Sequence, residues 1–396
     1  MVREPNEAVR KIVCYPPIRD LEEAADLYNR LNWYFRGHRG AIYLPTTISE
    51  QALRGAVQNL EHQPAYVDDS NTIRCVDPNE TERHLDEADA ILVWKASALR
   101  SVSVLRRLNR TFVVDPSYYS TTECETFLRV VDEARDDLGT ANTERFARIE
   151  EQFGDVGQSI VFATGPSLDR VLDVELPDRP LKVICNSIVR SDELLEHIQP
   201  DILTFADPVF HLGPSTYAAQ FRRDAVEAIQ KYDCWCFVPE PGDVLLRSHH
   251  PEIAERIIGM PVDADVSNHF PSSEALFVGG TSNIMTLLML PIASALTRDV
   301  AIIGADGREE SDSYFWKHSS IAQYEGLMVS AVETHPSFFR DRVYTDYYEQ
   351  HVETLREQIE QGEARDCRYA SLTPSHIPVL SERETDFEHW KKEETP

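Results

Sequence analysis

Short apolar runs alternate with amphipathic stretches along most of this chain, and the clearest series begins near residue 156. Residues 159–164 (SIVFAT) end at Gly165-Pro166-Ser167, and 181–185 (LKVIC) end at Asn186. Residues 201–206 (DILTFA) end at Asp207-Pro208, 234–238 (CWCFV) at Pro239, and 299–304 (DVAIIG) lie just before Asp306. Runs of this length, separated by helical stretches and ended by polar or turn residues, predict a parallel sheet with crossover helices. The first part of the chain alternates in the same way. Residues 11–16 (KIVCYP), 40–44, 90–94 and 111–114 are strand candidates, and 21–31 has helical spacing of apolar positions. The fold class that follows is α/β, a Rossmann-like parallel sheet with flanking helices plus a smaller N-terminal α/β domain.

Four segments follow on the domain scale: an N-terminal α/β domain over 1–130, a polar, helix-prone linker over 131–155, the main sheet domain over 156–376, and a charged tail over 377–396 that is expected to fray. The N-terminal part carries no chemical motif. Arg36, His38 and Arg39 beside Tyr34 read as an exposed, charged loop.

The polar residues that close the strands matter most, because in parallel α/β sheets ligands bind outside the carboxyl ends of the strands. Gly165, Asn186, Asp207 and Asp306 all fall on that edge. Gly165-Pro166-Ser167-Leu168 follows a strand and opens toward a helix. Its glycine permits close backbone approach, and free N–H groups at a helix start suit a phosphate. A tight βα turn without a ligand explains the tetrapeptide equally well. It is neither GxGxxG nor a P-loop, so nicotinamide enzymes and Walker ATPases lose support.

Gly279-Gly280-Thr281-Ser282-Asn283 precedes an apolar segment, with Thr281 or Ser282 as helix cap. A capped core helix accounts for it as well as an anion or sugar site does. Pro291 is expected to kink or end that helix near Leu290. Tyr314, Phe315 and Trp316 are consecutive and cannot all face a core, so they line either a pocket or a closing loop. His335, held by Pro336, stands on a loop before a helix whose buried stripe is Tyr348, Val352, Leu355 and Ile359. His351 reads as a surface histidine beside that stripe. His335 is better placed than His351 to act as a base.

Charge narrows the function classes. The 396 residues include 67 acidic against 39 basic side chains, a net charge of −28, and only seven of the basic residues are lysine. Such a surface repels phosphates and argues against a sequence-independent nucleic-acid binder or a protein docked on anionic lipid. Few lysines with excess carboxylates suit solubility at high salt, a statement about habitat rather than activity. The seven cysteines are far apart, without metal-site spacing, and are expected as free thiols in a reducing compartment. No apolar segment approaches the ~18 residues of a membrane span, and the first residues lack a signal-peptide core. A cytoplasmic protein, at most peripheral to the membrane, is expected.

The order strand–GPSL, strand–CN, strand–DP, GTSN–helix–strand–GAD, an aromatic loop and a late His resembles the bacterial sialyltransferase-like superfamily and its GPSL-motif relatives. These relatives include motility accessory factors and archaeal 6-hydroxymethylpterin diphosphokinases. The match covers about 156–375. The resemblance implies a glycosyltransferase of surface-glycan or glycoprotein assembly with a CMP-activated nonulosonic acid as donor and a glycan or lipid-linked acceptor. It implies no metal and no further cofactor. Gly165, Pro166 and Ser167 would lie along the nucleotide, and Asn186 and Ser282, with Thr281, would hold ribose, phosphate or sugar. Tyr314 would donate to the leaving phosphate, and His335 would deprotonate the acceptor. Thr164 departs from that branch, which carries Asn before Gly-Pro-Ser. The diphosphokinase branch would instead use Mg-ATP held by Asp207 or Asp306. A non-catalytic member of the same fold is the third reading.

Overall fold

The structure is a computed structural model that describes residues 10–67, 73–118, 122–133, 138–307, 324–341 and 344–392. Its first unit carries β1 (Lys11–Tyr15), β2 (Ala41–Pro45), β3 (Ile73–Val76), β4 (Ala90–Val93) and β5 (Thr111–Val113), paired in the order β3-β2-β1-β4-β5. All four pairings are parallel. The helix Leu21–Tyr34 returns from β1. Asp20 caps it by accepting from the Glu22 and Glu23 amides, and those two acids favour the positive end of its dipole. Ala24, Leu27, Tyr28, Leu31 and Tyr34 follow the spacing of one helical stripe, and from Leu27 onward the helix is buried all round.

The second unit is a seven-stranded sheet. Its strands are β6 (Gln158–Phe162), β7 (Leu181–Cys185), β8 (Ile202–Thr204), β9 (Trp235–Pro239), β10 (Ile257–Met260), β13 (Asp299–Ile303) and β14 (Arg368–Ser371), in the order β10-β9-β8-β7-β6-β13-β14. The two-residue strands β11 (Val262–Asp263) and β12 (Val278–Gly279) pair separately. Every described pairing is parallel, so the α/β, Rossmann-like class holds for this unit. Parallel sheets are covered on both faces, which is why LKVIC is buried throughout. Alternation then sorts the side chains: Ile160, Phe162, Ile184 and Leu203 enter one core, and Val161, Val183, Cys185 and Ile202 the other. The first of these cores continues through Leu31, Tyr34 and Phe127 of the N-terminal unit, so the two units share one apolar interior.

Several expectations change. Strands β3, β10 and β14 do not show in the sequence, because IRCV, IIGM and RYAS are too short and mixed to carry a period. Within 131–155, the helix Gly139–Phe153 is no free linker: Phe146, Ile149 and Phe153 bury against the second sheet. Pro291 does not end its helix. The winding changes there instead: a π-helical turn, Met285–Met289, runs directly into the α-helical Leu290–Leu296, and this local break in the hydrogen-bond ladder accommodates the missing N–H of Pro291. The tail does not fray over its described part. Ser371 N bonds Arg383 O, and Trp390 is buried. His351 is buried rather than on the surface. All seven cysteines are free, and six are buried. Among the described residues, no helix is long and apolar enough to cross a membrane.

Candidate functional site

The strand order fixes where a ligand site belongs. From β6 the chain winds outward through β7, β8, β9 and β10, then returns to the other side of β6 for β13 and β14. Connections therefore diverge between β6 and β13, and in open parallel sheets that divergence marks where a ligand crevice is expected, at the carboxyl ends of those strands. Gly165 and Ser167 follow β6, and Asp306 follows β13. They touch. Ser167 donates its backbone N–H, at 3.2 Å to either oxygen, and its hydroxyl, at 2.9 Å, to the Asp306 carboxylate.

Gly165 donates its N–H to the Gly304 carbonyl at 2.8 Å. A Cβ on Gly165 would stand 2.2 Å from Asp306 Oδ2 and 2.5 Å from the Gly304 oxygen, so only glycine permits this crossing of loops. The turn Pro166–Asp173 is 3₁₀. The Ser167 amide expected to meet a phosphate at its start is engaged by the protein's own carboxylate. Asp306 is therefore an acceptor-rich group at the crevice, suited to ligand hydroxyls more than to a second anion.

Two further groups frame this point. Asn186 follows β7, next to β6. It sits in the left-handed region (φ 47°), and its Oδ1 is enclosed without a hydrogen-bond partner. An enclosed amide oxygen without a donor is costly. On the other side, residues after β14 form a wall that sequence reasoning missed. Thr373 Oγ1 accepts from Gly304 N at 3.0 Å, Ser375 Oγ donates to Ala305 O at 2.7 Å, and His376 N donates to Asp306 O at 2.7 Å. The His376 side chain is exposed. The signal was present in LTPSHI, a polar run after a short strand, but that strand itself was not legible.

The remaining candidates lie apart. Asp207 Oδ1 accepts from the Val209 and Phe210 amides, each at 2.8 Å, and so caps its own turn. Thr281 Oγ1 pairs with Thr286 Oγ1 at 2.7 Å and Ser282 is exposed; among the described residues, no hydrogen bond joins either to Gly165, Asn186 or Asp306. The glycines before them serve packing, since a Cβ on Gly279 would stand 2.6 Å from two backbone oxygens. Tyr314 and its aromatic neighbours lie outside the described residues. A cavity of about 60 Å³ at the opposite, amino edge, beside Gln158, Asp299 and Arg368, has none of these groups.

No protein-family model, no curated protein and no solved structure matches this chain. The likeness to the sialyltransferase-like superfamily thus stands on its motifs.

His335 departs most from expectation. It joins the helices Met328–Thr334 and Pro336–Asp341, and its ring has 0% exposure. It touches no space that an acceptor could occupy, because the N-terminal unit covers it. Its Nδ1 contacts the Glu123 carboxylate and lies 3.4 Å from Cys124 Sγ. Arg30 donates to Glu123 Oε1 at 3.2 Å and to the Thr334 carbonyl at 2.8 Å, and it also pairs with Asp26. Burial pushes the Glu123 pKa up, but His335 and Arg30 outweigh it and hold the carboxyl below its ordinary value. Burial, with Glu123 beside it, raises the Cys124 thiol well above its ordinary value in spite of Arg30, so it is no nucleophile. The sequence held one clue: an acid, Glu123, on the apolar stripe of Cys124, Phe127, Val130 and Val131.

Proposed function

We propose that this protein is a glycosyltransferase that takes a nucleotide-activated sugar in the crevice between β6 and β13. The observation that carries this reading is the meeting of Gly165, Ser167 and Asp306 at the point where the sheet changes direction, with the unpartnered Asn186 oxygen one strand away. A carboxylate and an amide oxygen both accept hydrogen bonds, which matches the hydroxyls of a ribose or a sugar. The donor phosphate then lies away from Asp306, since like charges repel. His335 takes no proton in this scheme. Groups at the crevice that can do so are Asp306 and His376. The N-terminal unit serves the acceptor, a glycan or a lipid-linked one, in the cytoplasm or at its membrane surface.

Diphosphate transfer from Mg-ATP fits less well. Asp207 Oδ1 is taken up by the Val209 and Phe210 amides, and the Asp306 carboxylate already accepts from the amide and hydroxyl of Ser167. The test is a thermal-shift and calorimetry panel of CMP, CDP, UDP, GDP and ATP in molar salt, with and without Mg²⁺. A pyrimidine nucleotide should bind without Mg²⁺, and Asp306→Asn should weaken it about tenfold, the worth of one good hydrogen bond. A Mg²⁺-dependent purine response would favour the kinase reading, and no response to any nucleotide would refute both.

A further inference from the structure

The Glu123–Cys124–His335 cluster is independent of the crevice, and the transferase proposal does not use it. We propose that these three side chains form a metal site of the zinc class that clamps the two units together. Their donor atoms all lie within 4.8 Å of one another, and all three side chains are buried. Cys124 Sγ stands 3.4 Å from His335 Nδ1 and 3.9 Å from Glu123 Oε1. Two ligands of a tetrahedral ion with bonds of 2.0–2.3 Å are separated by about 3.3–3.7 Å; the Cys124 distances are near this range, whereas Glu123 Oε1 and His335 Nδ1 are in direct contact and must move apart to admit an ion.

A second observation points the same way. Glu123 is 0% exposed, yet its Oε2 has no hydrogen-bond partner, while Oε1 is held by Arg30 and His335. A buried carboxylate oxygen without a donor is expensive, and an ion bound by both oxygens of Glu123 would remove that cost, which one bound through Oε1 alone would not. Arg30 does not oppose the ion decisively, because its charge is already matched by Asp26 at 2.9 Å.

The donor set decides the class. A thiolate with an imidazole and a carboxylate suits zinc or a similar transition ion rather than magnesium or calcium. Three protein ligands leave one position for a water. Full burial gives the ion a structural role, since Glu123 and Cys124 belong to the first unit and His335 to the second, 211 residues beyond Cys124. The sequence alone points to no metal site, because ligand spacing is legible only among near neighbours and here the fold supplies it across units.

The test uses full-length protein purified without a histidine tag. Elemental analysis should find about one zinc per chain, and stripping with a chelator should lower Tm by several degrees until zinc is restored. Cobalt loaded into the stripped protein should give a thiolate charge-transfer band. Cys124→Ser should abolish that band, and Cys75→Ser should keep it. A protein without metal that takes up none on incubation with zinc, so that a hydrogen-bonded ion pair alone fills the site, overturns the proposal. So does a cobalt–thiolate band that survives Cys124→Ser. Nucleotide binding is a separate readout, so failure here leaves the transferase proposal standing or falling on its own assay.

Discussion

Lowering the pH from 7.5 to 5 should cost this protein about 4 kcal/mol of stability through two histidines alone. Burial pushes His211 and His351 down from the ordinary value to about 4, and both are almost completely enclosed. His211 also accepts the Asp207 N–H at Nδ1 (3.0 Å), a bond that the neutral ring can make. In the unfolded chain both rings titrate near 6.5. Below that pH the unfolded state takes up protons that the folded state refuses. The stability is therefore complete above about pH 7 and is lost progressively as pH falls toward 4. Linkage gives about 2 kcal/mol for each ring at pH 5. Against a typical total of 5–15 kcal/mol that loss is large.

Urea unfolding at pH 7.5, 6.5, 5.5 and 5.0, in constant molar salt, measures it. Most carboxylates stay ionised over this range, so the histidines dominate the slope. The double variant His211→Gln/His351→Gln should start less stable at pH 7.5 and lose about 4 kcal/mol less on acidification, keeping about 2 kcal/mol of loss from His249, which burial pushes down to about 3. Parallel losses in the two proteins would refute the reasoning, as would ring resonances that titrate near 6.5 in the folded state.

Gly165→Ala places a methyl group 2.5 Å from the Gly304 carbonyl and should cost about 1–3 kcal/mol, whereas Gly157→Ala, which meets nothing within 4 Å, should stay within about 0.5 kcal/mol. Equal urea midpoints for the two variants would contradict the close crossing of loops. Arg222→Met removes a buried guanidinium that lies 3.9 Å over Trp33 and donates to His211 O, Gly213 O and Tyr66 Oη. Two carbonyls and a phenol lose a donor, so a loss of about 3 kcal/mol is expected, and less than 1 kcal/mol in the same assay would exclude a role at the junction of the units.

Local pattern was enough to place the parallel strands β1, β2, β4 to β9 and β13, the helices between several of them, and the edge where Gly165, Asn186, Asp207 and Asp306 emerge. Those features depend on residues a few positions apart, and a period of two or of 3.6 is written directly into the chain. Ser167 and Asp306 could be assigned to one edge for the same reason, but their mutual hydrogen bonds could not. Strand order decided those, because β13 returns beside β6 after the chain has left through four other strands. His335 shows the limit most clearly. Read locally, it is a histidine held before a helix; in the fold, the N-terminal unit brings Arg30, Glu123 and Cys124 onto it and seals it from solvent. Burial and the pairing of charges are properties of surfaces that meet, and two surfaces more than 200 residues apart in sequence leave no joint pattern to read in either one.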